Sequence, residues 1–287
     1  MSAAAPGAVF VGRERELDVL AAHLAARDQS SGGVLLISGP AGVGKTTLVD
    51  QAVRAAPAGA VVRGYCPAEP APPLWPWRAA LRRAGARPAG VEIAAEPDVE
   101  PAAAASARFA AVAQMSDALI AAGPLTVVLE DLHWADAASL DLLAQVGAAP
   151  GGPRVTVVGT VRSPAPQDVG IRLAGLGRYG AVTLPLAPFT RDEVAELVDP
   201  GLVSDVYQRT GGLPLLVAAV RTGSGSADLA VVVGGLLAAL TPGQREIIEA
   251  AAVLGEVVDD HLLAAVVTGR RGAAAASPAA ASSHKAC

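Results

Sequence analysis

The sequence predicts an α/β fold: a parallel sheet between helices, followed by a small helical region. Three observations carry this. Short apolar, β-branched runs alternate with Ala-rich helical stretches up to about residue 188. These runs are apolar throughout rather than alternating with polar residues, which is the pattern of strands buried on both faces. The first run passes through a glycine-rich loop directly into a helix.

The elements follow in order. Residues 1–8 are small and are expected to be disordered. Phe10, Val11 and Gly12 lead into a helix over Arg13–Arg27, where Leu17, Leu20 and Leu24 recur at helical spacing. Gly33–Ser38 (GVLLIS) reads as a buried strand, Gly39–Gly44 as a loop and Lys45–Ala56 as a helix. Ala60–Gly64 is a second strand. Pro67–Pro76 holds five prolines and must be extended or irregular. Trp77–Ala86 reads as a short helix, residues 87–101 as a Pro-broken loop, and Ala102–Ala122 as a long helix ended by Gly123 and Pro124. Leu125–Glu130 is a third strand, Ala138–Val146 a helix, Arg154–Val161 a fourth strand and Ala181–Leu184 a short fifth. Beyond Pro188, residues 190–199, 202–210 and 213–221 read as short helices and 222–228 as a Gly/Ser linker. Thr241, Pro242 and Gln244 carry the N-cap, N1 and N3 pattern that opens a helix to about Leu254. From Gly272 the chain is of low complexity and reads as a disordered tail.

Composition excludes several classes. The chain has 287 residues, a net charge of −5 and 52% hydrophobic but only 3% aromatic residues, so its core must be built from Val, Leu and its 64 Ala. The acidic balance argues against a nucleic-acid surface. Two cysteines, Cys66 and Cys287, make neither a disulfide scaffold nor a Cys-rich zinc site. The longest apolar run, Leu229–Leu240, has 12 residues, too few to span a bilayer. No signal peptide opens the chain, and the expected location is the cytoplasm. Of its basic residues 20 are Arg and two are Lys; one of those two, Lys45, stands in the glycine-rich loop.

That loop reads GPAGVGKTT from Gly39 to Thr47 and matches G-x-x-x-x-G-K-[ST] between a strand and a helix. Gly39, Gly42 and Gly44, with Pro40, Ala41 and Val43 between them, let backbone N–H groups form a nest around phosphates. The helix that follows aims its positive end at the same anion. Lys45 would reach the β- and γ-phosphates and the Thr46 hydroxyl would ligate Mg²⁺. The strand LTVVLED supplies the acids: the adjacent strand tip would place Glu130 near the metal, and Asp131 could orient the attacking water. No guanine-selecting N-K-x-D is present, which favours adenine and hence ATP or ADP.

These residues resemble the nucleotide-binding domain of signal-transduction ATPases with numerous domains (the STAND class of P-loop NTPases), and within it the ATPase region of large LuxR-type transcriptional regulators. FVGREREL from Phe10 resembles the family's opening; by that resemblance Val11, Gly12 and Arg13 lie near the adenine. LEDLHWAD, Leu129–Asp136, resembles the extended Walker B segment, with Glu130 where many relatives carry Asp. GTVR, Gly159–Arg162, resembles the sensor 1 region and implies that Arg162 senses the γ-phosphate. Leu184–Val194 resembles the entry to a small helical domain. RTGGLP, Arg209–Pro214, resembles the GxP motif and implies that Pro214 packs near the adenine. Gln244–Gly255 resembles the start of a winged helix. The implied organisation is a P-loop ATPase domain over 9–188, a small helical domain over 189–222, a partial winged-helix segment over 223–270 and a tail over 271–287. The implied function is a slow ATP-hydrolysing switch in which Lys45 and Mg²⁺ stabilise developing charge and Asp131 orients water. Self-association or a regulatory protein partner is compatible with it. Family regulators continue to a DNA-binding helix-turn-helix, and this chain is expected to bind no nucleic acid directly. A non-hydrolysing nucleotide module and a truncated product remain alternatives.

Weaker signals have plainer readings. His133, between Asp131 and Asp136, lacks the ligand count of a zinc site and reads as structural. Trp134 reads as a packing residue and Cys66 as a small buried hydrophobe. Arg78, Arg82, Arg83 and Arg87 read as a solvated helix face paired with Glu, or as a surface for nucleic acid or an acidic partner.

Overall fold

The computed structural model describes residues 10–25, 33–56, 61–85, 101–148, 155–221, 233–235, 237, 240–254, 259 and 261–268. The chain divides into two compact units, Met1–Thr222 and Gly223–Cys287. In the first, helices α1 (Glu14–Ala25), α2 (Lys45–Ala55), α3 (Trp75–Arg83), α4 (Pro101–Ala121), α5 (Ala137–Ala148) and α6 (Gln167–Gly175) surround strands β1 (Val34–Gly39), β2 (Val61–Tyr65), β3 (Leu125–Glu130), β4 (Val155–Arg162) and β5 (Val182–Pro185). Three short helices follow: α7 (Arg191–Ala195), α8 (Val203–Thr210) and α9 (Pro214–Arg221).

All strand pairs are parallel, in the order β2-β3-β4-β1-β5. Alternate residues of one strand serve two cores. Val34 and Leu36 of β1 join the cluster under α3–α6, which also holds Trp77, Met115 and Leu143. Leu35 and Ile37 join the cluster under α1 and α2, with Leu20, Leu48 and Val49. Both faces therefore demand apolar side chains, which is why the strands read as unbroken apolar runs. A separate small core of Val194, Val206 and Val217 holds α7–α9 together.

The sheet order corrects one expectation. β3 does not neighbour β1; β4 lies between them. Strand order depends on which distant runs pair, and nothing local in the sequence encodes it. β4 is buried at seven consecutive positions from Val155, as befits the central strand. The stretch 163–180 carries no clear periodicity, yet it forms α6 and a 3₁₀ turn over Leu176–Tyr179. Gly170 and Gly177 weaken its helix propensity, and burial of Val169, Leu173 and Leu176 overrides that. Helix α3 starts two residues before the expected Trp77, because Pro76 is accommodated in the first turn.

In the second unit, Thr241 caps α10 (Pro242–Leu254): its backbone N–H donates to Gln244 Oε1 at 2.9 Å and its hydroxyl accepts from Gln244 N–H at 3.3 Å. A further helix covers residues 261–268. Among the described residues this unit carries helix and no strand, so the wing implied for 223–270 is not seen there. Residues 1–8, Arg87 and the tail over 271–287 lie outside the described residues. No described helix is long and apolar enough to cross a membrane.

Candidate nucleotide site

The loop between β1 and α2 sits at the carboxyl edge of the sheet, where open α/β folds place their ligands. Gly42 and Gly44 adopt φ +78° and +95°, which side chains rarely tolerate. Gly42 is also crowded: a Cβ there would stand 2.9 Å from Leu215, whose N–H donates to Gly42 O at 3.1 Å. The first turn of α9 thus rests directly on the loop.

A cleft of about 690 Å³ opens over this loop. Ala41, Gly42, Val43, Gly44, Lys45, Thr46 and Thr47 form its floor. Asp131 and Arg162 come from the ends of β3 and β4, Val11 and Arg13 from the segment before α1, and Pro214 from α9. Phe10, Leu186, Phe189 and Leu197 add an apolar wall that the sequence reading did not single out. Gly39 and Pro40 are not lining residues; their carbonyls accept from Lys45 Nζ at 2.8 and 2.9 Å. Burial pushes the Lys45 ammonium below its ordinary value; Asp131 opposes that shift and Arg162 adds to it. Gly12 does not line the cleft either. It takes φ +63°, and a Cβ there would stand 2.3 Å from the Glu193 carboxylate. Arg13 bonds Ala187 O, pairs with Glu16 at 3.3 Å and lies over the Phe189 ring at 5.3 Å, tying the start of α1 to the segment before α7.

The acids behave differently from each other. The Thr46 hydroxyl donates to Glu130 Oε2 at 2.8 Å, across the width of β4. Glu130 Oε1 accepts from Arg63 at 3.0 Å, and Arg63 also pairs with Asp50 of α2. Arg63 escaped the sequence reading. The signal was there, since a charged residue inside an otherwise apolar strand needs a partner. Asp131 adopts φ +59°, its N–H donates to Thr160 Oγ1 at 3.0 Å and its carbonyl accepts from Trp134 N–H at 2.9 Å. Thr160 on β4 therefore sets the direction of Asp131. Asp136 is occupied as the cap of α5, taking Ser139 N–H at 3.0 Å and Leu74 N–H at 3.2 Å.

The neighbours of this site divide between packing and exposure. His133 is 5% exposed, and both ring nitrogens are buried with no hydrogen-bond partner among the described residues. Burial, then Arg162 and Lys45, hold its pKa down at about 4. Cys66 is buried as expected, which pushes its thiol up to about 12. Trp134 is not a core residue: it is 46% exposed, whereas Trp77 fills the core. Among the described residues the arginines of α3 make no ion pair with Glu. Arg82 lies over Trp75 at 5.1 Å, Arg83 donates to Arg63 O at 2.6 Å, and Arg78 Nε and Nη2 are buried with no hydrogen-bond partner among the described residues.

A family model for the AAA ATPase domain matches residues 9–158, just over half of the chain. The chain belongs to the AAA ATPase domain family. Among solved structures, this AAA ATPase domain is similar to the Aeropyrum pernix ORC2 protein in its ADPNP–ADP complexes, with a TM-score of 0.52, 19% identity, and coverage of 91% of this chain and 81% of that one. It is also similar to a Pyrococcus horikoshii signal-transduction ATPase with numerous domains that carries a tetratricopeptide repeat sensor, with a TM-score of 0.47 and 18% identity. There it covers 88% of this chain but only 36% of that one. Thermotoga maritima RuvB matches at a TM-score of 0.45 and 18% identity, over 90% of this chain and 83% of that one. No curated protein matches the sequence. The ORC2 likeness carries the fold; the chemistry rests on the loop, the acids and the cleft.

Proposed function

We propose that this AAA ATPase domain is an ATP-binding regulatory switch of the STAND type, similar to the ATPase region of LuxR-type regulators, and that it hydrolyses ATP slowly. The observation that carries this is the 2.8 Å bond between the Thr46 hydroxyl and the Glu130 carboxylate, beside the loop that presents Lys45. Two hard oxygen donors from separate elements meet where the motif needs a cation. Among the described residues no cluster of three or more His, Cys, Asp or Glu makes a metal site by itself. A site completed by phosphate and water suits Mg²⁺, which keeps several waters. Thr46 and Glu130 would hold it, and when bound it neutralises phosphate charge.

The chain's own residues then have separable tasks. Lys45 leaves two backbone carbonyls for the phosphates. The N–H groups of residues 41–46 surround the anion, and the start of α2 adds its dipole. Asp131 orients water, and Arg162 approaches the terminal phosphate from β4. Phe10, Val11, Leu186, Phe189 and Pro214 offer the apolar wall for adenine. The Leu215–Gly42 bond carries any shift of the phosphate loop into α9, the coupling that a nucleotide switch requires.

Titration with a fluorescent ATP analogue and Mg²⁺ tests the proposal. Saturable binding displaced by ATP and ADP but not GTP is expected. Lys45→Ala should abolish binding with an unchanged melting temperature. Normal affinity in that variant would sink the assignment. The Arg63–Glu130 pair supports a second reading, a module that holds nucleotide without turnover, because a guanidinium already occupies the metal-side carboxylate. Phosphate release above the Lys45→Ala background discards that reading.

A further inference from the structure

The Asp131 backbone is fixed and its carboxylate is not. Thr160 Oγ1 and the Trp134 N–H hold its peptide groups. Among the described residues no hydrogen bond reaches its side chain, which is 35% exposed. Its Oδ1 stands 3.9 Å from His133 Nδ1. That is about one ångström beyond a hydrogen bond, a gap that rotation of the aspartate side chain can close.

The imidazole has no such freedom. It is buried, follows Leu132 at 0% exposure, and rests against the Trp134 ring with centroids 5.1 Å apart. Buried polar atoms in native proteins are bonded, and an exception calls for a reason. The two nitrogens of His133 are such an exception among the described residues, and the carboxylate assigned to the water stands beside Nδ1. A neutral imidazole has one N–H to give. Carried on Nδ1, it reaches Asp131 Oδ1 and leaves Oδ2 for the water.

We propose that His133 is a positioning residue: with nucleotide in the cleft, its Nδ1–H donates to Asp131 Oδ1 and holds the carboxylate in the orientation that aligns the attacking water. No proton leaves the ring, and its task is that of an outer-shell partner that orients a catalytic group. The inference rests on the proposed role of Asp131 and extends it to a buried neighbour.

Three variants and one spectrum test it. His133→Leu keeps the bulk and removes the donor; His133→Asn places an amide N–H near the position of Nδ1. The Leu variant should lower kcat about ten- to a hundredfold, the range for outer-shell partners, with ATP affinity and KM unchanged. The Asn variant should recover most of that loss. Histidine-selective ¹⁵N spectra are tractable because the chain has four histidines, and His133→Asn assigns the signal. Saturation with Mg²⁺ and a non-hydrolysable ATP analogue should lock the ring as the Nδ1–H tautomer, and Asp131→Ala should release it. Wild-type turnover in His133→Leu, an Asn variant no better than Leu, or an Nε2–H ring in the complex would each overturn the proposal. If the protein binds nucleotide without releasing phosphate, the tautomer alone decides. If it binds none, the nucleotide reading fails first and this inference falls with it.

Discussion

Glu130 holds two partners at once, the Thr46 hydroxyl and the Arg63 guanidinium. The arginine competes for the carboxylate that would face the metal. Arg63→Gln should therefore lower the half-saturating Mg²⁺ concentration by roughly fivefold, on the order of 1 kcal/mol for a partly exposed pair, read by Mg²⁺ titration at fixed nucleotide. An unchanged midpoint would show that the guanidinium does not compete. His133 makes a second prediction at this scale. Its pKa falls from an ordinary 6.5 to about 4 on folding, so between those values the unfolded chain takes the proton first. The stability gained by keeping the ring neutral is complete above about pH 6.5 and is lost as pH falls towards 4. His23, pushed down by burial although its bond to Val157 O opposes that shift, acts in the same direction. The melting temperature should drop from pH 7 to pH 5, and His133→Leu should flatten that drop.

At the scale of elements, close approach between backbones explains more than propensity does. Gly64 in β2 lies against the first turn of α3, where a Cβ would stand 2.0 Å from Pro76 O. Backbone cannot swing aside as a side-chain end can. Gly64→Ala should cost about 2–3 kcal/mol, measured by urea denaturation, and should loosen α3 and with it the support of Arg63 by Arg83. Helix α7 depends on its cap: the Thr190 hydroxyl accepts from Glu193 N–H at 3.2 Å while Glu193 Oε2 accepts from Thr190 N–H at 2.6 Å. This box is readable as T-x-x-E from Thr190 to Glu193, at the start of the helix expected over 190–199. Helix α6 was not readable, because its amphipathic pattern is interrupted by glycine and only burial beside α5 and the 3₁₀ turn over Leu176–Tyr179 sustains it.

At the scale of the whole molecule, every residue lining the cleft falls between Phe10 and Arg221, inside the first compact unit. The small helical segment therefore belongs with the sheet as one nucleotide-binding body. A fragment ending at Arg221 should bind the fluorescent nucleotide with the affinity of the full chain, within about twofold. Loss of binding would mean that residues beyond 221 complete the site.

Contiguous residues encode the alternation of buried strands and helices, the phosphate loop with Lys45 and Thr46, and the acids at the end of β3. Each depends on spacing along one stretch of chain, where propensity, glycine freedom and apolar periodicity act locally. The tertiary structure decided the rest. It placed β4 between the loop strand and the acid strand, brought Arg63 onto Glu130, laid Leu215 on Gly42, and left His133 unbonded behind Asp131. Those relationships join residues far apart in the chain, and they exist only once burial has selected which distant runs pair and which charged groups must find one another away from water.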